Sequence, residues 1–228
     1  MTIAEKLDII KYTVSESAKK AGRAVEDICL LPVTKTKTPE EIMPALEYGI
    51  RAIGENYVQE LLSKYDVLRP YVDEFHMIGH LQSNKVKYLI DKVSLIHSAD
   101  SLSLLKEIDK QAKKHDKIQD VLLEVNLTKE ASKSGIYEED LHRLIDESVV
   151  YSNVKIKGFM TMPPAGSEEA VLRRVFSRLR EIFETYQAQD SNISILSMGM
   201  SHDYPIAIEE GSTLVRVGSA IFGPRNYQ

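Results

Sequence analysis

The sequence predicts an α/β protein that forms a single (β/α)8 TIM barrel with one extra helix at the N-terminus. Short apolar runs of strand character alternate with helical patterns along the chain, and the alternation yields eight strand candidates. The length of 228 residues suits such a barrel. Strict alternation implies parallel strands with right-handed crossovers. An open doubly wound sheet is the alternative, but it would leave two edges to protect.

The elements follow one another in a regular order after an N-terminal amphipathic helix, where Ile3, Leu7, Ile10 and Val14 fall at helical spacing. The predicted strands are Ile28–Lys35, Arg51–Glu55, Phe75–His80, Ser94–Ser98, Asp120–Leu127, Lys155–Met162, Ile193–Met200 and Thr213–Gly218. The predicted helices between them are Pro39–Tyr48, Asn56–Leu68, Ser83–Lys92, Asp100–Lys114, Glu138–Tyr151, Glu168–Gln187 and Tyr204–Glu210. No linker rich in proline or glycine divides the chain, so we expect residues 1–228 to form one domain.

The composition is that of a globular protein with a substantial core, with 43% hydrophobic and 28% charged residues. A net charge of −5 without a basic block argues against a dedicated binder of nucleic acid or anionic membranes. Charged residues stand where a signal peptide would be apolar, and no apolar run approaches the roughly 20 residues of a membrane span. We therefore expect a cytoplasmic protein. The only cysteine, Cys29, is predicted to be a packed and unreactive thiol.

The first predicted strand ends in two lysines, Lys35 and Lys37. The end of a barrel strand places Lys35 at the rim of the core, where partial burial favours a neutral amine. Lys37 lies two residues on, on the same strand face, and is a candidate for a neighbouring cation with the same effect. A neutral amine is what Schiff-base chemistry with an aldehyde requires. The alternative is that both lysines are solvated residues at the start of a loop.

Glycine and serine residues follow the last two predicted strands. Gly199, Met200 and Ser201 lie at the end of the seventh strand and the start of the loop after it. Gly218 and Ser219 lie at the same place after the eighth strand. Barrels frequently bind phosphate between these two loops, where free backbone amides favour an anion. Two ordinary turns are the alternative interpretation.

Arg216 lies in the middle of the eighth predicted strand, where an unpaired charge would be costly. It is predicted either to form a structural salt bridge with an interior carboxylate such as Glu124 or to contact a ligand beside the phosphate site. A reactive lysine, a phosphate site and an interior arginine together indicate a phosphorylated aldehyde held as an imine. Pyridoxal 5'-phosphate (PLP) fits all three features, with Arg216 donating to the pyridine nitrogen. A sugar-phosphate aldolase is the alternative, but it has less use for the arginine.

Several long motifs resemble one known family. They are LLPVTKTK, GENYVQE, HMIGHLQSNK, SKSG, GFMTMPP, SMGMSHDY and GSTLVRVGSAIFG, which lie in this order between residues 30 and 223. The chain resembles the YggS/PROSC-type family of PLP homeostasis proteins, whose barrel is related to the N-terminal domain of bacterial alanine racemases. The resemblance implies the same barrel, PLP as the cofactor and a role in intracellular vitamin B6 homeostasis.

The resemblance also implies a role for individual residues. Lys35 matches the lysine that forms the aldimine with PLP, and Arg216 matches the arginine that faces the pyridine nitrogen. The other residues implied to bind the cofactor are Asn56, Met200, Ser201, Gly218 and Ser219, of which Ser201 and the last two contact the phosphate. Lys133 matches a loop lysine that accepts or releases PLP.

The resemblance favours a carrier over an enzyme. An arginine at the pyridine nitrogen keeps that nitrogen unprotonated, which weakens the cofactor as an electron sink. The second domain that supplies a base in alanine racemases is not expected in this chain. We therefore expect a monomeric protein that buffers PLP or delivers it to PLP-dependent apo-enzymes, without appreciable turnover. A PLP-dependent amino-acid racemase is the alternative.

A metal site is not expected. His76 and His80 would lie on one face of a strand about 13 Å apart, which is too far for a shared ion. The remaining histidines, including His97, are scattered, and ordinary packing or surface roles are predicted for them.

Overall fold

The computed structural model describes residues 1–128, 130 and 134–224, and its parallel strands form one curved sheet. The strands are β1 Cys29–Pro32, β2 Ala52–Glu55, β3 Glu74–Met77, β4 Leu95–Ala99, β5 Gln119–Asn126, β6 Ile136–Tyr137, β7 Val154–Met160, β8 Ile195–Met200 and β9 Leu214–Val217. Their order in the sheet is β1-β9-β8-β7-β5-β4-β3-β2, with the short β6 paired to β5 alone. A parallel bridge between Val33 and Gly54 joins the two ends of this order. The predicted α/β barrel is confirmed.

The helices cover the outside of the barrel. They are α1 Ile3–Lys20, α2 Pro39–Glu47, α3 Val58–Leu68, α4 Val86–Leu89, α5 Leu102–Lys114, α6 Glu138–Ser148, α7 Glu169–Gln187, α8 Tyr204–Glu209 and α9 Ser219–Phe222. Thr2 and Thr38 begin α1 and α2 with capping boxes, each of which contributes about 1 kcal/mol to helix stability. Within the described ranges, no helix combines the length and the apolar character that crossing a membrane requires.

Several predicted elements end elsewhere than expected, among them two strands and one helix near the C-terminal rim of the barrel. The first strand ends at Pro32 instead of Lys35, and the third ends at Met77 instead of His80. The helix predicted at Ser83–Lys92 is only a 3-10 turn followed by the single turn of α4. In each case the apolar pattern continues beyond the regular hydrogen bonding, because loops at the rim of a barrel are themselves half-buried.

The apolar core has an outer and an inner part. The largest cluster joins strand residues to the buried faces of the helices. Two smaller clusters contain strand and loop residues but no helix residue, which places them inside the barrel: Leu31, Val33, Ile78 and Leu214, and Leu95, Leu122 and Met160. Arg216 lies two residues after Leu214 on the same strand, so its side chain shares this interior face.

The predicted packing of Cys29 is wrong, because this residue is exposed at the start of β1. Its side chain is nevertheless partly shielded from solvent. That desolvation and, to a lesser extent, the charge of Glu74 raise the pKa of the Cys29 thiol. A thiol with a raised pKa carries little of the reactive thiolate at neutral pH.

Candidate functional site

Lys35 lies at the C-terminal rim of the barrel, between β9 on one side and β2 on the other. The Val33 amide donates to the Val217 carbonyl over 2.9 Å, and the Thr34 amide donates to the Gly54 carbonyl over 3.0 Å. Lys35 follows immediately and is half-buried. The predicted position of this lysine at the rim of the core therefore agrees with the structure.

A turn separates Lys35 from Lys37. Thr36 has a φ of 62°, and the Lys37 amide donates back to the Thr34 carbonyl over 3.2 Å. The prediction that both lysines share a strand face is therefore wrong, since the strand has already ended. The Lys37 ammonium is buried and forms an ion pair with Glu41 at 3.1 Å, so its charge is balanced within the first turn of α2.

A buried network from α3 holds the Lys35 turn. Lys64 donates to the Thr34 carbonyl and to the Glu55 carboxylate, both over 2.9 Å. It also donates to Glu60 over 3.0 Å, and Glu60 accepts the Thr36 amide over 2.6 Å. Burial raises the pKa of the Glu55 carboxyl, while the Lys64 charge opposes that rise. Sequence reasoning missed this network, and its only signal was a lysine four residues after Glu60.

The two loops predicted to bind phosphate are joined to each other. The Ser201 hydroxyl accepts the Gly218 amide over 3.1 Å and the Ala220 amide over 3.3 Å. Gly218 also lies against Val33, the residue that follows β1, because a Cβ on Gly218 would be 3.3 Å from the Val33 Cβ. Ser201, Gly218 and the exposed Ser219 are therefore brought together on the same side as Lys35.

Contacts with α8 and its N-cap residue Asp203 hold the turn that carries Met200 and Ser201 in place. Gly199 has a φ of 92°, and a Cβ there would lie 2.5 Å from the Ala207 Cβ. The Met200 amide donates to the buried Asp203 carboxylate over 2.5 Å. Burial raises the pKa of Asp203, and the Met200 hydrogen bond opposes that rise. Helix α8 thus packs directly on this turn.

Arg216 is buried and is held by acceptors on β8 and directly after β7. Its Nη1 donates to the Ser197 carbonyl over 2.9 Å and to the Ser197 hydroxyl over 2.5 Å, and its Nη2 donates to the Thr161 carbonyl over 3.0 Å. Burial lowers the pKa of Arg216 to about 10, so the guanidinium stays charged at neutral pH. These bonds use three of the five N–H donors of a guanidinium.

Glu124 does not form the salt bridge considered for it. Within the described residues it acts on Arg216 through its charge alone and shares no ion-pair contact with it. Burial, and then the charge of Asp100, raise the pKa of Glu124 to about 7, while the charge of Arg216 opposes this rise. Glu124 is therefore a buried acid that titrates near neutral pH close to the guanidinium.

Asn56 directly follows β2 and is half-buried. Its Oδ1 is buried and accepts no hydrogen bond from the described residues. Gly79 approaches it closely, since a Cβ at Gly79 would lie 2.3 Å from the Asn56 carbonyl oxygen. An unpaired buried acceptor costs about 1–3 kcal/mol, so this oxygen is suited to a donor that a ligand supplies.

The predicted site residues thus come from the C-terminal ends of β1, β2, β8 and β9. Those concerned are Lys35, Asn56, Met200, Ser201, Arg216, Gly218 and Ser219. Their roles toward a cofactor stay predictions. Lys133, the loop lysine of the SKSG motif, lies outside the described residues.

The histidines considered as a metal site do not form one. His80 lies beyond β3 with an exposed side chain 3.6 Å from Asp100, whereas His76 is buried within the strand. Across the described part of the chain, no three His, Cys, Asp or Glu side chains are grouped so that they could hold a metal ion.

Comparison with known proteins places this geometry in a family. The model of the alanine racemase N-terminal domain matches residues 7–226. The pyridoxal phosphate homeostasis protein of Aquifex aeolicus is 43% identical, and the match covers 100% of both chains. That of Pseudomonas aeruginosa is 38% identical over 99% of this chain and 97% of its own.

Solved structures agree with this result. PipY of Synechococcus elongatus, solved with PLP bound, is 31% identical with a TM-score of 0.83, and the match covers 97% of this chain and 100% of PipY. Alanine racemase of Clostridium difficile is 14% identical with a TM-score of 0.72 over 100% of this chain and 58% of its own, which shows a common fold alone. The chain belongs to the alanine racemase N-terminal domain family, among the members named pyridoxal phosphate homeostasis proteins.

Proposed function

We propose that this protein binds PLP on Lys35 as a Schiff base and serves intracellular PLP homeostasis by buffering or delivering the cofactor. The observation that carries the proposal is the position of Lys35, half-buried at the rim beside the joined Ser201 and Gly218 loops. The homeostasis role named for the full-length relatives and the PLP held by PipY support it.

Each site residue has a part in this proposal. Lys35 would hold PLP by supplying its amine to the aldehyde of the cofactor. Ser201, Gly218 and Ser219 would contact the phosphate, with the Ser201 hydroxyl as a donor whose oxygen is held by the Gly218 amide. Arg216 would offer one of its two remaining N–H groups to the pyridine nitrogen, and the Asn56 side chain would line the ring.

In this proposal the protein catalyses no appreciable turnover of any substrate. A charged arginine at the pyridine nitrogen prevents its protonation, so the cofactor withdraws electrons weakly. It works as a monomer in the cytoplasm and passes PLP to PLP-dependent apo-enzymes. An amino-acid racemase is the second candidate, and Glu124 favours it, because a buried acid with a pKa of about 7 is suited to proton transfer.

Borohydride reduction tests the Schiff base. The purified protein is mixed with PLP, reduced and digested, and the peptides are mapped by mass. We expect a pyridoxyl group on Lys35, its loss in Lys35→Arg, and its retention in the control Lys37→Arg. An adduct spread over several lysines, or none after PLP is added, would contradict the proposal.

Deuterium exchange separates the carrier from the racemase. The PLP-loaded protein is incubated with L-amino acids in deuterated water, and the α-proton is followed by NMR. A carrier leaves the α-proton in place. Exchange that disappears in Glu124→Gln would establish the racemase candidate instead.

A further inference from the structure

A continuous chain of hydrogen bonds runs through the inside of the barrel. Glu74 Oε2 lies 3.0 Å from His76 Nε2, and His76 Nδ1 lies 3.0 Å from His97 Nε2. His97 Nδ1 lies 3.1 Å from the Ser197 hydroxyl, which accepts from Arg216 Nη1 over 2.5 Å. The neighbouring strands β3 and β4 supply the two histidines, and the neighbouring strands β8 and β9 supply Ser197 and Arg216. The contact between His97 and Ser197 joins these two pairs of strands, which β5 and β7 separate in the sheet.

This chain of hydrogen bonds links solvent at one end of the barrel to the candidate site at the other end. Glu74 is the first residue of β3, and its side chain is 58% exposed. His97 and Ser197 are completely buried, and Arg216 is 4% exposed. Most barrel interiors are filled by branched apolar side chains. The five side chains of this hydrogen-bond chain, here called the polar column, therefore need an explanation.

Counting donors and acceptors fixes the direction of the chain. A guanidinium can only donate, so the Ser197 oxygen accepts from Arg216. With both imidazoles neutral, the Ser197 hydroxyl proton is directed to His97 Nδ1, its other partner among the described residues. His97 must then carry its proton on Nε2 and donate to His76 Nδ1. His76 in turn donates from Nε2 to Glu74, whose carboxylate can only accept.

The surroundings of His97 keep it neutral, which this direction requires. Burial lowers the pKa of His97 well below its ordinary value, and the charge of Arg216 acts in the same direction. A neutral imidazole has one donor and one acceptor nitrogen, so each tautomer corresponds to one direction of the chain. In the opposite tautomer His97 would donate to Ser197, and the serine proton would lose its acceptor.

We propose that Glu74, His76 and His97 are positioning residues that fix the Ser197 hydroxyl and so hold the Arg216 guanidinium in one orientation. This inference rests on the proposed function for its effect on PLP, since the held orientation decides which N–H donors remain for the pyridine nitrogen. The chain of hydrogen bonds itself is present in the cofactor-free protein, so its existence can be tested without PLP.

Imidazole nitrogen NMR of the protein labelled with ¹⁵N-histidine reads the tautomers directly. We expect cofactor-free wild type to show His97 protonated on Nε2 alone. Glu74→Gln keeps an acceptor oxygen and should preserve this protonation pattern. Glu74→Ala removes the acceptor oxygen and should therefore give a mixture of the two His97 tautomers. Protonation of His97 on Nδ1 in wild type, or an unchanged pattern in Glu74→Ala, would overturn the inference.

The second arm measures PLP binding and the absorbance band of the bound cofactor. We expect Glu74→Ala and Ser197→Ala to shift the band and to weaken PLP binding by about tenfold, the size of one lost hydrogen bond to a charged group. Ser212→Ala is the matched control, because its buried hydroxyl bonds only to carbonyls of Leu196, Met198 and Leu214 within the described residues.

Each result of this arm has one meaning. Equal losses of PLP affinity in Ser197→Ala and Ser212→Ala would mean that the hydrogen-bond chain has only a structural role, and would overturn the positioning claim. Failure of wild type to bind PLP would remove the proposed function, while the NMR arm would still decide whether the chain exists. A shifted band in Glu74→Ala with wild-type behaviour in Glu74→Gln supports the proposal.

Discussion

Glu124 should make the stability of this protein fall as the pH rises toward neutrality. Its carboxyl is buried, and its pKa of about 7 lies above the ordinary value of 4.5. Burial therefore penalises the ionised form in the folded state alone. Substitution by glutamine keeps the size of the side chain and removes the charge.

The size and the sign of this effect follow from the two pKa values. Below pH 4.5 the carboxyl is protonated in both states, and burial of its charge costs nothing. Between 4.5 and about 7 the unfolded chain loses its proton while the folded protein keeps it, so stability falls with rising pH. Above about 7 the loss is complete at about 3 kcal/mol, from roughly 1.4 kcal/mol for each pH unit between the two values.

Urea unfolding of cofactor-free wild type and Glu124→Gln between about pH 4 and pH 8 measures this term. We expect equal stability at the acid end and a variant more stable by about 3 kcal/mol at the alkaline end. Glu16→Gln, which removes an exposed carboxylate from α1, is the control and should give a difference independent of pH. A flat difference for Glu124→Gln, or a variant that is less stable at pH 8, would refute the reasoning.

Two further substitutions test the framework around the site. Lys64→Met should lower the free energy of unfolding by about 3 kcal/mol, because the buried Glu55 carboxylate loses its cation, whereas Lys20→Met at an exposed ion pair should cost less than about 1 kcal/mol. Similar losses in urea unfolding would contradict the structural role of the buried pair. Gly199→Ala should lower the melting temperature and PLP affinity more than Gly22→Ala, because both glycines have positive φ but only Gly199 has a neighbour within 4 Å of the added Cβ. Equal effects in thermal denaturation and PLP titration would show that the turn tolerates the contact.

The sequence was sufficient for the barrel, because alternation of strands and helices is a local pattern that the tertiary structure did not override. Strand ends were less predictable. The turn after β1 depends on a left-handed Thr36, and a non-glycine residue at φ 62° carries no clear signal in sequence. The surroundings of Lys37, which pairs with Glu41, therefore could not be predicted from the sequence.

The positions of Lys35 and Arg216 were predictable because each depends on a single strand, whereas their roles toward a cofactor stay predictions. Contacts between strands were not predictable. His76 and His97 are 21 residues apart, and their rings meet only because β3 and β4 are neighbours with a particular register. The ion pair considered between Glu124 and Arg216 depends on the distance between their strands across the barrel, which the sequence does not specify.

The polar column inside this barrel also restricts how its sequence can change. An apolar interior tolerates one side chain at a time being exchanged for another of similar volume. Each member of the column instead satisfies its neighbours on both sides, so replacing one leaves a buried donor or acceptor without a partner. The column can therefore be exchanged as a set far more readily than residue by residue, and we expect its members to vary together among relatives.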